Sequence, residues 1–502
     1  MDKSLYETEI KNIKDQIKKI YLEDEIPWVV GYSGGKDSTA VTQLVWESLE
    51  ELEPEKRHKA VYIISTDTLV ENPVVSLWVR NSLKSLEKEA VKKKLPIYPN
   101  LLTPKIENTF WVNLIGRGYP APRRKFRWCT ERLKIKPADE FVNSVVKQNG
   151  QAILVLGTRK AESTVRASRI KVKESKSVRE NLTPSDNLPN SYIYAPIVEW
   201  SNDDVWVYLM QEENPWGNNN KDLLTMYQGA TSDGECPLVV DTSTPSCGNS
   251  RFGCWVCTLV QKDKSMSAMV QNDSEKEWMA PLLQLRNELD QPDRELRDFR
   301  RMSGNVQLFA PKEDYEGPEN VPGPYTQDSR AMWLKKLLTI QTNLRNSDNT
   351  PEEVKDIELI SAAELEEIRR IWVTEKHEIE DLLPLIYEEV VGDRYPGKPI
   401  DENQPFSRED LSLLKEICKG NDLHFEMVRG LLETERKQQN KNRRSNLFND
   451  IEKIFKRTFY EDAEDAFSRA KDIQKFSLIM EKQKKGEIDL IETSEEIKKN
   501  IN

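Results

Sequence analysis

Two groups of residues have types and spacings suited to chemistry. The first follows the apolar run Val29-Val30-Gly31-Tyr32 and reads Ser33-Gly34-Gly35-Lys36-Asp37-Ser38. Two glycines let backbone amides turn toward an anion without obstruction from a Cβ. Ser33 and Ser38 add hydroxyls, and Lys36 adds a full positive charge. A helix starting just after this loop points its positive end at the same place. The pattern is a phosphate cradle, and its spacing is not that of a Walker A loop. The second group is Cys236, Cys247, Cys254 and Cys257, four of the six cysteines, within 22 residues. Four thiolates suit tetrahedral zinc or an iron–sulfur cube, and the residues alone leave both open. None of the three histidines lies near them, so a mixed Cys/His site is not expected. Phe252 and Trp255 would shield such a centre.

Further candidates occur where later strands should end. Asp67, in Ser65-Thr66-Asp67-Thr68, is placed to hold a ribose or Mg²⁺, or else to cap a helix. Gly157-Thr158-Arg159 is followed by Glu162-Ser163 and Arg166. Arg159 and Arg166 are candidate phosphate ligands, because guanidinium binds phosphate oxygens bidentately. Their ordinary alternative is a surface ion pair. Six cations lie between Arg123 and Lys134 and concentrate positive potential there. Among them sits Cys129, which reads either as a low-pKa thiol or as a packed side chain.

The elements needed to position these residues are legible as an alternation. Residues 3–22 have helical periodicity, with Ile10, Ile13, Ile17 and Ile20 on one face. Strands are predicted at 28–32, 61–66, 153–156 and 192–197, with helices at 38–49, 74–93 and from Ser201 onward. Strands alternating with helices give an α/β fold, a parallel sheet with helices on both faces. Ligands bind such sheets at the carboxyl ends of the strands. Residues 170–190 are predicted to be an exposed loop. From about residue 275 the chain turns to long charged helical stretches.

Of the 502 residues, 37% are apolar and 32% charged, with a net charge of −11. No apolar run is long enough to span a bilayer, and Met1 to Ile20 has no signal-peptide core, so a cytoplasmic protein without membrane contact is expected. The acidity argues against a surface coated for nucleic acid, though not against a local basic groove. Arg300-Arg301 and the cations Arg436, Lys437, Lys441, Arg443 and Arg444 are the candidates for one.

The Ser33–Ser38 loop resembles that of the ATP pyrophosphatase (PP-loop, adenine nucleotide alpha-hydrolase-like) superfamily. The regions around Arg127-Trp128-Cys129-Thr130 and Gly157 to Arg166 resemble phosphoadenylylsulfate (PAPS) reductases. The end of the chain, Glu-Glu-Ile-Lys-Lys-Asn-Ile-Asn, differs from the Glu-Cys-Gly-Leu-His tail of those reductases. That resemblance therefore extends to the fold and not to the reduction. Loop, cysteine spacing, Pro322-Gly323-Pro324-Tyr325-Thr326 and the segment Leu423-His424-Phe425-Glu426 to Arg436 together resemble the DndC family of DNA phosphorothioation sulfurtransferases.

That resemblance implies an ATP pyrophosphatase and sulfurtransferase that replaces a non-bridging oxygen of a DNA phosphate with sulfur. It implies ATP with Mg²⁺ and a [4Fe-4S] cluster on the four cysteines. The implied partners are DNA, a cysteine desulfurase and other Dnd proteins. Lys36, Asp37, Arg159 and Arg166 are then catalytic, and Ser33 to Ser38, Asp67 and Gly157 bind the nucleotide. The expected division is 1–227 for the ATP domain, 228–270 for the cysteine segment and 271–502 for a mostly helical region contacting partners or DNA. A tRNA thiolation enzyme and an ATP-binding sensor subunit are the alternatives.

Overall fold

The structure, a computed structural model, describes residues 3–162, 164–174, 179–230, 252–309, 320–397, 408–439, 444 and 446–486. The chain divides into two compact units. Unit 1 comprises residues 1–110, 122–290 and 343–359; unit 2 comprises 111–121, 291–342 and 360–502.

Unit 1 is built on a six-stranded sheet. Its strands are β1 (Trp28–Gly31), β2 (Val61–Thr66), β3 (Ile97–Leu102), β4 (Ala152–Val155), β5 (Thr183–Pro184) and β6 (Ser191–Tyr194), in the order β3-β2-β1-β4-β6-β5. Every pairing is parallel except that of β5, which runs antiparallel along β6 at one edge. The other edge, β3, contains Pro99. Helices cover both faces, as the alternation in sequence requires. Successive residues of a strand point to opposite faces. Trp28, Val30, Val61 and Ile63 accordingly join one core, while Val29, Tyr62 and Ile64 join another.

The first core is completed by α1 (Lys3–Leu22), α2 (Lys36–Glu50), α3 (Pro73–Lys92), α6 (Asn202–Gln211) and α7 (Asn220–Gly229). Ile10, Ile17 and Ile20 of α1 are buried in it, each worth about 1.5–3 kcal/mol relative to exposure. Ser201 caps α6 in a reciprocal capping box with Asp204, so the predicted start of that helix is met. The second core uses Val142 and Val145 of α4 (Lys136–Asn149).

The stretch predicted as a loop from 170 to 190 is not one throughout. Helix α5 (Thr164–Glu174) runs into it, and β5 pairs Thr183 with Ile193 and Pro184 with Tyr192. Prolines argued for a loop, but an edge strand tolerates a proline because one of its sides needs no donor. Unit 1 continues with α8 (Lys264–Asn272) and α9 (Ala280–Leu289).

Unit 2 is helical, with most of α10 (Gln327–Asn346), then α11 (Ala362–Arg370), α12 (Leu382–Val391), α13 (Arg408–Ile417), α14 (Asp422–Gln439), α15 (Leu447–Thr458) and α16 (Ala463–Lys484). A small core gathers Leu423, Tyr460 and Ala466 with Phe299 and Val306. Among the described residues, no helix is long and apolar enough to cross a membrane.

Candidate functional site

The sheet order reverses direction between β1 and β4, and that crevice is where an open α/β sheet binds ligands. Both strands deliver candidate residues to it. The loop Ser33–Ser38 leaves β1 and enters α2, whose N-terminus at Gly35 has no side-chain cap. Gly34 adopts φ +72°, and a Cβ there would meet Val79 Cγ2 at 2.4 Å. The loop is braced from within: Ser33 N donates to Ser38 Oγ at 3.1 Å, and Ser38 Oγ donates to Gly35 O at 3.0 Å. From α3, Trp78 Nε1 donates to Gly34 O at 3.1 Å.

Gly157, just past β4, approaches the start of α2 so closely that a Cβ would lie 2.9 Å from the carbonyl carbon and oxygen of Asp37. This contact brings Arg159 to the loop. Arg159 Nε donates to Asp37 Oδ1 at 2.8 Å, and Nη1 donates to Trp200 O at 3.2 Å. Lys36 Nζ lies 3.2 Å from Asp37 Oδ2. One carboxylate therefore sits between two cations. Arg159 is 3% and Lys36 is 6% exposed. Burial pushes the Lys36 ammonium below its ordinary pKa; Asp37 opposes the shift and Arg159 adds to it. An anionic phosphate would relieve this strain, because opposite charge favours the charged form.

Lys36, Asp37, Arg159 and Gly157 are thus brought together. The side chain of Arg166 lies outside the described residues. Asp67 is buried, but its oxygens are engaged: Oδ1 accepts from Leu69 N at 2.9 Å and Oδ2 pairs with Arg80 Nη2 at 2.8 Å. Each oxygen accepts one bond and keeps a second acceptor position, which a ribose hydroxyl or a Mg²⁺ ion would use beside Leu69 N and Arg80.

Cys236 and Cys247 lie outside the described residues, and Cys254 and Cys257 lie within them. The latter two share a turn, with Cys257 N donating to Cys254 O at 3.0 Å. The turn docks on the loop after β2. Trp255 N donates to Val70 O at 3.0 Å, and Cys254 Sγ lies 3.3 Å from Thr68 Oγ1 and 3.7 Å from Glu71 Oε1. Arg286 of α9, 1% exposed, donates from Nε to Cys257 O at 2.9 Å and holds Gln261 O as well. Thr258 Oγ1 donates to Pro122 O at 2.6 Å.

Lys134 completes the surroundings, 3.1 Å from Glu71 Oε1. Burial works against its ammonium, but Cys254, Glu71 and Cys257 outweigh burial and raise its pKa. Two thiols beside one cation, on a clamped turn, fit half of a thiolate donor set. No complete metal-binding group of His, Cys, Asp or Glu occurs among the described residues.

Cys129 does not have the low-pKa character that its cationic neighbours suggested. Burial pushes its thiol up, as does Cys257. Its neighbours Arg124, Lys125 and Arg127 are exposed, while Arg123 turns away to Asp290 Oδ1 (3.4 Å) and Leu289 O (3.2 Å).

Tyr227 was not singled out from sequence. Its hydroxyl accepts from Lys36 N at 3.4 Å, and a Cβ on Gly35 would meet it at 3.1 Å. Its ring meets Phe252 edge-on at 4.8 Å, so it links the phosphate loop to the cysteine segment.

Residues 27–259 match the model of the phosphoadenosine phosphosulfate reductase domain. This reductase-like region spans every nucleotide-site candidate and all four clustered cysteines. A second model, described as a small protein found in certain Dnd DNA modification systems, matches residues 409–456. The uncharacterized protein MJ0066 of Methanocaldococcus jannaschii is 28% identical over 207 residues, 41% of this chain and 35% of that protein. The chain thus matches about a third of the length of that relative.

Among solved structures, phosphoadenylyl-sulfate (PAPS) reductase from Candida auris is similar at 12% identity and TM-score 0.26, over 43% of this chain and 90% of that one. The U34-tRNA thiolase NcsA from Methanococcus maripaludis with its [4Fe-4S] cluster shows 14% identity and TM-score 0.27, over 56% and 80%. Candida glabrata FMN adenylyltransferase shows 13% and 0.26, over 46% and 62%.

The basic residues considered for DNA are mostly spoken for in unit 2. Arg300 is 5% exposed and pairs with Asp298 Oδ2 at 2.7 Å and Glu426 Oε2 at 2.8 Å. Arg436 and Lys437 both pair with Glu433, and Arg444 pairs with Glu435. Lys441 and Arg443 lie outside the described residues.

Proposed function

We propose that the chain is an ATP pyrophosphatase and sulfurtransferase of DNA phosphorothioate modification, of the DndC type. The observation that carries this reading is the joint occurrence, in one chain, of the reductase-domain match at 27–259 and the Dnd-system match at 409–456. The geometry of the phosphate loop supports its first half, and the cysteine turn docked on the loop after β2 supports its second.

A non-bridging oxygen of a DNA phosphodiester is a poor leaving group. Attack of that oxygen on the α-phosphorus of ATP releases pyrophosphate and leaves the oxygen joined to AMP. A sulfur nucleophile then attacks the DNA phosphorus, and AMP departs with the original oxygen. In this scheme Lys36 and the amides at the start of α2 take up the charge of the leaving pyrophosphate, an electrostatic role of the kind that dominates many enzymes. Arg159, held by Asp37 and Trp200 O, faces the α-phosphate, with Arg166 as a second ligand. Gly157 lets the end of β4 approach the start of α2. Mg²⁺ enters with the ATP phosphates.

Cys236, Cys247, Cys254 and Cys257 would hold the [4Fe-4S] cluster. Bound there, it supplies either a sulfur-handling centre or a rigid support for the segment. Lys134 would offset the negative charge of the thiolates, and Arg286 fixes the turn that presents them. DNA, a cysteine desulfurase and further Dnd proteins are the proposed partners. The proposed division remains an ATP domain at 1–227, a cysteine segment at 228–270 and a helical region at 271–502.

The test is sulfur incorporation by full-length protein produced anaerobically with a cysteine desulfurase and the other proteins of a Dnd system. Phosphorothioate dinucleotides, measured by mass spectrometry after nuclease digestion of the DNA, are expected with wild type and absent with Lys36→Met and Cys254→Ser. Iron and sulfide near four per chain, lost in Cys254→Ser, are expected from the same preparations. Sulfur found in tRNA and not in DNA would refute the assignment.

A further inference from the structure

Unit 2 contains a cavity of about 1220 Å³, above the upper end of the usual range for small-molecule sites, roughly 300–1,000 Å³. Its wall comes from the start of α10, the segment Thr374–Leu382, and helices α13, α14 and α15. The last three overlap the part of the chain that matches the Dnd-system small protein. Nothing in the chemistry proposed above uses this cavity.

The cavity is lined by ion pairs that are incompletely satisfied. Arg330 Nη2 bonds to Glu378 Oε1, and Arg429 Nη1 bonds to Glu380 Oε1 at 2.6 Å. Arg330 Nε and Nη1, Arg429 Nε, Glu378 Oε2 and Glu380 Oε2 are all buried without a hydrogen-bond partner. Each pair is thus closed through one nitrogen and one oxygen. A buried polar group left so costs about 1–3 kcal/mol, and more when charged; five such atoms on one cavity wall are far from the ordinary state of a protein interior.

Lys376, also on this wall, has no ion-pair partner among the described residues. Burial pushes its ammonium down to about 7, Arg330 adds to the shift and Glu378 opposes it. The segment holding it is strained: His377 and Asp381 adopt φ +57° and +46°. Left-handed backbone at residues other than glycine costs about 1–3 kcal/mol and clusters at functional sites. Phe425 lines the same space, with the Arg429 guanidinium 5.1 Å from its ring centroid.

The unfilled bonding capacity has two signs. Lys376, Arg330 and Arg429 call for an oxyanion. Glu378 and Glu380 call for hydroxyl or amino donors. A phosphate attached to a sugar, with an aromatic surface nearby for a base, meets both demands in one molecule. We propose that this cavity is a second, mononucleotide-binding site, with the phosphate on Lys376, Arg330 and Arg429 and the donors of sugar or base on Glu378 and Glu380.

The test is calorimetric titration of the full-length protein with AMP, and with inorganic phosphate as competitor. Wild type is expected to bind two AMP per chain. Lys376→Met removes one of the two, weakening it at least tenfold, and Lys376→Arg restores it in part. Arg429→Lys keeps the charge but loses the planar fork, so it weakens the same site. Lys36→Met affects only the other site, which separates failure of this proposal from failure of the ATP reading. Inorganic phosphate displaces AMP from the Lys376-dependent site. A single AMP per chain whose affinity neither Lys376→Met nor Arg429→Lys changes, in variants that keep the wild-type circular dichroism melt, overturns it.

Discussion

Gly157→Ala is a small change with a large expected effect. The new Cβ would stand 2.9 Å from the carbonyl carbon and oxygen of Asp37 and 3.2 Å from Ser38 N. These are backbone atoms at the start of α2 and cannot rotate away. Favourable carbon contacts begin near about 3.5 Å, so strand end and helix start must part by roughly 0.6 Å. Overpacking of this kind costs about 1–3 kcal/mol. The displacement acts on the 2.8 Å bond between Arg159 and Asp37, whose two ends lie on the two parting segments. A misplacement of about 1 Å can cost on the order of 100-fold in rate, so a loss of roughly 10- to 100-fold in pyrophosphate release is expected.

Stability is read by urea unfolding and activity by pyrophosphate release from ATP in the presence of DNA and partner proteins. Gly229→Ala is the control. Its Cβ meets nothing within 4 Å and it closes helix α7, so it should be neutral or stabilising by up to about 1 kcal/mol. A Gly157→Ala protein with wild-type stability and wild-type rate would refute the close-approach argument.

Three further outcomes are expected. Lys36→Met should lower pyrophosphate release by roughly 100- to 1,000-fold, in the range of lost oxyanion donors, without lowering stability at neutral pH, as a urea titration would check. Arg300→Ala removes the centre of the Asp298–Arg300–Glu426 network and should destabilise unit 2 by about 3–5 kcal/mol, seen as an earlier melting transition. Lys376 has a folded pKa depressed to about 7, so the unfolded chain binds its proton more readily. Stability should therefore rise with pH between about 7 and the ordinary lysine value, and Lys376→Met should flatten that rise by up to one proton, measurable from urea midpoints across that range.

The parts of the fold legible in sequence were those with uninterrupted apolar signals. Trp28-Val29-Val30 and Val61 to Ile64 read as strands because they are central and apolar, the first buried on both faces and the second buried on one and half-buried on the other. Strand β3 was not read. Ile97-Tyr98-Pro99-Asn100 is a half-exposed edge whose proline and asparagine imitate a turn. The short β5 was hidden in the same way by Pro184, inside a stretch whose polarity suggested a loop.

At the site, the loop and its following helix were legible because glycine spacing, lysine and strand are contiguous. Gly157 and Arg159 were legible as candidates, but the reason for Gly157, a Cβ clash with Asp37, exists only in three dimensions. Lys134 was legible only as one of the six cations from Arg123 onward, and Glu71, Tyr227 and Arg286 carry no local signal. Each is an ordinary residue whose meaning comes from being folded against a distant segment. Cys129 reads in sequence either as an activated thiol, from its cationic neighbours, or as a packed side chain, and the structure agrees with the second. Those cations are largely turned outward or paired elsewhere, and burial governs the thiol.

Both borders of the sheet end on a proline-bearing strand, Pro99 in β3 and Pro184 in β5. A proline has no N–H to offer an incoming strand, so neither border presents an unbroken ladder of donors. The sheet is therefore guarded at both edges against a misassembly open to a twisted sheet, the growth of one copy onto the next.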